Sequence, residues 1–123
     1  MNTEQKKVLL VEDQKVIALT TESWLVDNGA QVDVAVNGKK AAMCLQNDYY
    51  DLIITDLMMP EMDGIELLTW MQKKGIDITT VVVSGVDEPS VMARVKQFPN
   101  VSHIIEKPIT LAQLAELQTL LYD

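Results

Sequence analysis

Five short runs rich in branched aliphatic residues recur along the chain, and a stretch with helical spacing follows each of them. The runs are residues 7–11 (KVLLV), 31–36 (QVDVAV), 51–55 (DLIIT), 78–83 (ITTVVV) and 102–105 (SHII). Near-continuous apolar runs suit strands buried on both faces, whereas the alternation within 31–36 suits a sheet edge. Residues 14–28 place Val16, Ile17, Trp24 and Leu25 on one helical face, with Gly29 as a stop. Asn37-Gly38 opens a second helix carrying Ala41, Ala42 and Leu45. Ile65, Leu68 and Met71 form the next stripe, ended by Gly75, and Pro89 stands at the start of a fourth helix. Thr110 and Gln113 read as a capping box for the last helix, whose stripe is Leu111, Leu114, Leu117 and Leu121. Alternation of this kind predicts an α/β fold. It predicts a five-stranded parallel sheet, (βα)5 with helices on both faces, in one domain over residues 1–123, and right-handed crossovers leave few strand orders.

Composition narrows the function. The net charge of −8 repels a phosphate backbone, so direct nucleic-acid binding is not expected. No run approaches the roughly 18 apolar residues of a membrane helix. The polar start, Met1 to Lys7, lacks the apolar stretch of a signal peptide. Cys44 and His103 are the only residues of their kinds, which excludes an internal disulfide and any multi-histidine or thiolate metal site. A lone cysteine fits a reducing cytoplasm, the expected location.

In an open parallel sheet, ligands bind beyond the carboxyl ends of the strands, where the strand order reverses. Glu12 and Asp13 follow the first run, Asp56 the third, Ser84 and Gly85 the fourth, and Glu106, Lys107 and Pro108 the fifth. The second run offers only Asn37-Gly38. Three carboxylates, a hydroxyl and an ammonium thus meet at one rim. Carboxylates this close stay ionised together only if cations compensate them. Lys107 supplies one charge; a divalent ion on oxygen ligands, Mg2+ or Mn2+, supplies the rest. A carboxylate can attack phosphorus, and the charge on the transferred group is then spread over oxygens that these partners can meet.

The run ITDLMMPEMDG (54–64) resembles the phosphorylation segment of response-regulator receiver domains. Glu12-Asp13, Ser84-Gly85 and Lys107-Pro108 resemble the other receiver motifs, in the family's order, over the whole chain. The resemblance implies a flavodoxin-like fold, with strand order 2-1-3-4-5, and Asp56 as phosphoacceptor. It implies Asp13 as a direct Mg2+ ligand, Glu12 acting largely through water, and the Met58 backbone carbonyl completing the set with Asp56. Lys107, before a proline bond that is cis in the family, pairs with the phosphoryl group; Ser84 moves to meet it, and Gly85 leaves the acceptor accessible. The donor is a sensor histidine kinase or a phosphotransfer protein. The output partner, or a second copy of the domain on phosphorylation, meets the face of the fourth helix, fifth strand and fifth helix. The domain is no enzyme beyond its own phosphorylation and dephosphorylation. It either stands alone or is a piece of a longer regulator.

Two departures from the family stand out. Ile104 occupies the position of the usual Tyr or Phe switch residue, which leaves serine–aromatic coupling without its second partner. The turn before the fifth strand reads Phe98-Pro99-Asn100-Val101, one residue longer than usual. The alternative is therefore a degenerate receiver that binds partners without phosphorylation. A phosphatase of the haloacid dehalogenase type needs a second Asp two residues after the first, where Met58 stands. A flavodoxin-like cofactor binder needs a phosphate loop where Glu12-Asp13 stand. Glu61 and Asp63 read as turn residues, Met58, Met59 and Met62 as loop packing, and His103 as structural or exposed at a strand start.

Overall fold

The aliphatic runs form strands and the stretches between them form helices. In the computed structural model, which describes residues 5–59, 61–85 and 88–122, the elements are β1 (Lys7–Val11), α1 (Lys15–Asp27), β2 (Gln31–Ala35), α2 (Gly38–Asn47), β3 (Leu52–Asp56), α3 (Gly64–Lys74), β4 (Thr80–Ser84), α4 (Pro89–Lys96), β5 (Val101–Glu106) and α5 (Leu111–Tyr122). Most of the polar start of the chain, and Pro60 of the ITDLMMPEMDG run, lie outside the described residues. The strands are all parallel, in the order β2-β1-β3-β4-β5. β3 and β4 are buried along their whole length, while β2 and β5 lie at the edges and are only partly covered. None of the described helices is long and apolar enough to cross a membrane.

Side chains alternate across a strand, so each face of the sheet collects its own core. Val8, Leu10, Leu52, Ile54, Val81 and Val83 pack under α1 and α5. Leu9, Val11 and Ile53 pack under α2 and α3, with Ala41, Ala42, Leu67 and Met71. A third cluster of Leu57, Leu68, Val82 and Val95 seats α4.

Several expected boundaries and faces shift. β3 starts at Leu52 rather than Asp51 and takes in Asp56, which pairs with Val83. β4 begins at Thr80, not Ile78, and ends on Ser84. Its pairing with β5 slips between Thr80 and Val81, so that Ser102 is an extra residue on the edge strand. α1 turns inward on Ala18, Thr21 and Leu25, and Val16 is 77% exposed. The small Ala18 and Thr21 let the helix approach the sheet closely, and Val16 falls on the opposite side of the turn. Trp24 flanks the core rather than filling it. Leu111 opens α5 and is exposed, so the buried stripe begins at Leu114. The capping box of α5 forms as expected, with Gln113 N–H on Thr110 Oγ1 at 3.1 Å and Thr110 N–H on Gln113 Oε1 at 2.9 Å.

The amino ends of the strands are tied by a polar network. The Lys7 N–H donates to Asp51 at 2.9 Å, and its ammonium meets Asp48, and Asp33 at 3.6 Å, over the Tyr50 ring. The buried Tyr50 hydroxyl donates to Asp33 at 2.6 Å. Burial, and then this bond to a carboxylate, hold the phenol above the usual tyrosine range. The folded state therefore binds the Tyr50 proton more tightly than the unfolded chain does. Its contribution to stability is complete below the ordinary tyrosine pKa of about 10 and is lost as pH rises past it. Tyr50→Phe is expected to cost about 1 kcal/mol in urea denaturation at neutral pH. In a spectrophotometric alkaline titration, the Tyr50 phenolate signal is expected to appear together with unfolding.

Candidate functional site

The strand order reverses between β1 and β3: the chain leaves β1 toward β2 and returns across it to β3. The carboxyl ends of these two strands therefore border a crevice, and the loops after β4 and β5 close its side. The structure brings Glu12, Asp56, Ser84 and Lys107 to this rim as buried or half-buried groups, and Asp13 as an exposed one. Oxygen atoms of Glu12, Asp13 and Asp56 lie within 4.8 Å of one another.

Asp56 is held on both oxygens. Its Oδ1 accepts the Leu57 N–H at 2.7 Å and the Met58 N–H at 3.3 Å. Its Oδ2 accepts from the Lys107 ammonium at 2.7 Å. The same ammonium lies 3.2 Å from Glu12 Oε1, whose other oxygen accepts the Gln14 N–H at 3.1 Å. Lys107 itself is set by its N–H, which donates to the Ser84 carbonyl at 3.0 Å, and it precedes Pro108 through a cis bond. Burial raises the Glu12 carboxyl, and the nearby Asp56 charge adds to it, while the Gln14 N–H and Lys107 pull it back. Burial alone would lower the Lys107 ammonium; the bonds and charges of Asp56 and Glu12 outweigh it and hold the group above its ordinary value. The two acids thus favour the charged form of Lys107, and Lys107 in turn draws the Glu12 carboxyl back toward its charged form.

The backbone beneath the acid is packed without slack. Gly64 N–H donates to the Leu57 carbonyl at 2.8 Å, and a Cβ on Gly64 would lie 2.5 Å from the Asp56 carbonyl oxygen. Asp63 caps α3 through a full capping box with Glu66, so the Asp-Gly pair both starts the helix and fits it against the end of β3. The tight fit was not legible beforehand; its one sequence signal is the glycine of the DG pair. Met59 is buried and Met62 half-buried, as loop packing predicts, but Met58 is 65% exposed beside Asp56. A Cβ on Gly85 would meet nothing within 4 Å. Ile104 is half-buried against the cluster that seats α4, and His103 is exposed on β5.

What this arrangement can do follows from its donor set. Three carboxylates converge, and none of the converging ligands is an imidazole or a thiolate, so the site suits a hard divalent cation. One further strand end brings a hydroxyl and one loop an ammonium, the groups an added anionic ligand would need.

Comparison with known proteins agrees with this geometry. The family model of the response regulator receiver domain matches residues 8–118. The transcriptional regulatory protein TctD of Salmonella typhimurium is 32% identical over 117 residues, which is 94% of this chain and 51% of that protein. The Regulator of RpoS of Escherichia coli is 30% identical over 104 residues, 85% of this chain and 31% of that protein. The chain thus spans about half of one curated relative and about a third of the other. Among solved structures, the receiver domain of Francisella response regulator 1452 matches with a TM-score of 0.85 at 29% identity, covering 94% of this chain and 96% of that one.

Two glycines at the rim are expected to respond differently. Gly64→Ala should lower stability by about 2 kcal/mol or more in urea denaturation, because the obstruction is backbone. Gly85→Ala should change it by less than about 0.5 kcal/mol. Equal losses in the two variants would contradict the packing described.

Proposed function

This chain belongs to the response regulator receiver domain family, and on that footing we propose that Asp56 takes a phosphoryl group from a histidine kinase or a phosphotransfer protein. The observation that carries the reading is the Asp56 carboxylate, buried at the end of a central strand with one oxygen on two backbone N–H groups and the other on Lys107. A nucleophile held this way has little freedom left to lose when a donor approaches. One carboxylate oxygen forms the new O–P bond as the N–P bond to the donor histidine breaks; that electron pair returns to the imidazole, which takes up a proton. Lys107 follows the negative charge onto the phosphoryl oxygens, and the Ser84 hydroxyl donates to another of them. The domain does this chemistry on itself and turns over no other substrate.

Mg2+, with Mn2+ as a substitute, fits the all-oxygen donor set. Asp13 and Asp56 would hold it directly, Glu12 largely through water, and the Met58 carbonyl would complete the protein ligands. When bound, the ion neutralises charge on the transferred group. Asp13 is the exposed member of the cluster, so it can bind without first losing a protein partner among the described residues. The added charge then biases an equilibrium between two conformations. The face of α4, β5 and α5 carries the change to an output domain, a partner protein or a second copy of the domain. Residues 1–123 act as one receiver unit in the cytoplasm. A second reading, a partner-binding module that ignores phosphorylation, is favoured by one observation: Ile104 supplies neither the hydroxyl nor the ring that an aromatic switch needs.

Intact mass after incubation with acetyl phosphate separates the two. A gain of one phosphoryl group that requires both Mg2+ and Asp56, and is lost in Asp56→Asn or with EDTA, is the expected result. No gain in the native sequence would turn the assignment to the phosphorylation-independent module. Metal binding is expected to appear on its own in thermal denaturation. At a Mg2+ concentration a hundredfold above its Kd, stability should rise by about 2.7 kcal/mol. Asp13→Ala should abolish most of that rise, and EDTA should reverse it.

A further inference from the structure

Asn37 and Gly38 reach the same rim from the edge strand, and the reading above gives them no part. We propose that they are positioning residues for the Asp56 site: the first turn of α2 clamps the β3–α3 connection in the shape that sets the Leu57 and Met58 backbone against Asp56. The proposal rests on the receiver reading only for its consequence at the metal.

The connection is strained and has to be held. Glu61 and Met62 both have positive φ, 50° and 80°, in the left-handed region that L side chains avoid. Neither is a glycine, so each conformation persists only where neighbours over-determine it. α2 supplies those neighbours. The first N–H groups of a helix have no partner inside it and are free to bind elsewhere. Gly38 N–H donates to the Met62 carbonyl at 3.1 Å, and Lys39 N–H to the Glu61 carbonyl at 3.2 Å. The buried Asn37 side chain works in two directions. Its Oδ1 caps α2 by accepting the Lys40 N–H at 2.8 Å, and its Nδ2 donates to Glu61 Oε2 at 3.2 Å.

The contact has no clearance. A Cβ on Gly38 would lie 2.2 Å from the Met62 carbonyl oxygen, so the connection would be pushed off the helix. At its two ends the connection is pinned elsewhere, through Leu57 and Met58 N–H on Asp56 and through Gly64 N–H on the Leu57 carbonyl. The clamp fixes the middle. Releasing it lets two strained residues relax, and the nearest soft point is the Met58 N–H, the longer of the two bonds to Asp56. Asn37 and Gly38 thus act through the backbone of the connection and touch neither the phosphoryl group nor the cation.

The test separates positioning from general stability. Asn37→Ser keeps a capping oxygen for α2 but removes the donor to Glu61, and Gly38→Ala introduces the clash. Hydrogen exchange of the Leu57 and Met58 amides is read in the metal-free protein, and Mg2+ affinity is read by calorimetric titration with Mg2+ alone. Asn37→Ser is expected to speed exchange at Leu57 and Met58 about fivefold, the loss of one hydrogen bond of ordinary worth, with β1 amides unchanged. Mg2+ is expected to bind about fivefold more weakly. Met62→Gly, which adopts the left-handed conformation freely, should shrink the effect of Asn37→Ser in a double-mutant cycle. Unchanged exchange at Leu57 and Met58 in both variants, or exchange that rises equally across β1, overturns the proposal. Faster local exchange in a protein that binds no Mg2+ would support the clamp while removing the receiver reading.

Discussion

The ammonium of Lys107 lies between the ends of β1 and β3, 2.7 Å from Asp56 and 3.2 Å from Glu12, and it arrives there from the loop after β5. Two buried carboxylates this close would otherwise repel one another. Taking ions out of water costs several kcal/mol for each, and only close pairing recovers it. The lysine can do this because its own N–H is fixed to the end of β4, and β4 is packed on both faces, through Val81 and Val83 on one and Val82 on the other. The reactive rim therefore depends on packing well below it. A weakened β4–β5 ladder would first be felt as a misplaced charge.

The same dependence explains what could be read beforehand. Every group at the rim follows directly on an aliphatic run, so locating the strand ends located Glu12, Asp13, Asp56, Ser84 and Lys107 together. Right-handed crossovers and one alternating edge run narrowed the strand order to a few arrangements, and the family resemblance selected among them. Helix faces were harder. Large apolar residues suggested Val16 as an inward residue of α1, whereas the inward face is made of Ala18 and Thr21, whose small size is what the close approach needs. Leu111 has the right spacing but is exposed, because spacing alone does not say where along a helix burial begins.

The backbone contacts under Asp56 were not legible for a different reason. Gly64 meets the carbonyl of Asp56, and Gly38 meets that of Met62, across 24 positions of sequence in the second case. Asn-Gly and Asp-Gly pairs are ordinary helix openings, and nothing local distinguishes one that opens onto solvent from one pressed against another loop. Such glycines are identified only by what occupies the space where a side chain would go. The two sit on successive crossovers of the chain, so the loop after β3 is bordered by one helix start on either side.

The strands are bound very differently at their two ends. At the amino ends, Lys7 links Asp33, Asp48 and Asp51, with Tyr50 buried among them. At the carboxyl ends, charged groups meet loops. Each strand of this region resembles a rod gripped at its foot and loaded at its tip. A load at the tip bends the free end and fades toward the grip. A disturbance at Asp56 therefore falls first on the loops and helix starts that touch the upper rim, while the polar ties at Lys7 hold the feet of β1, β2 and β3.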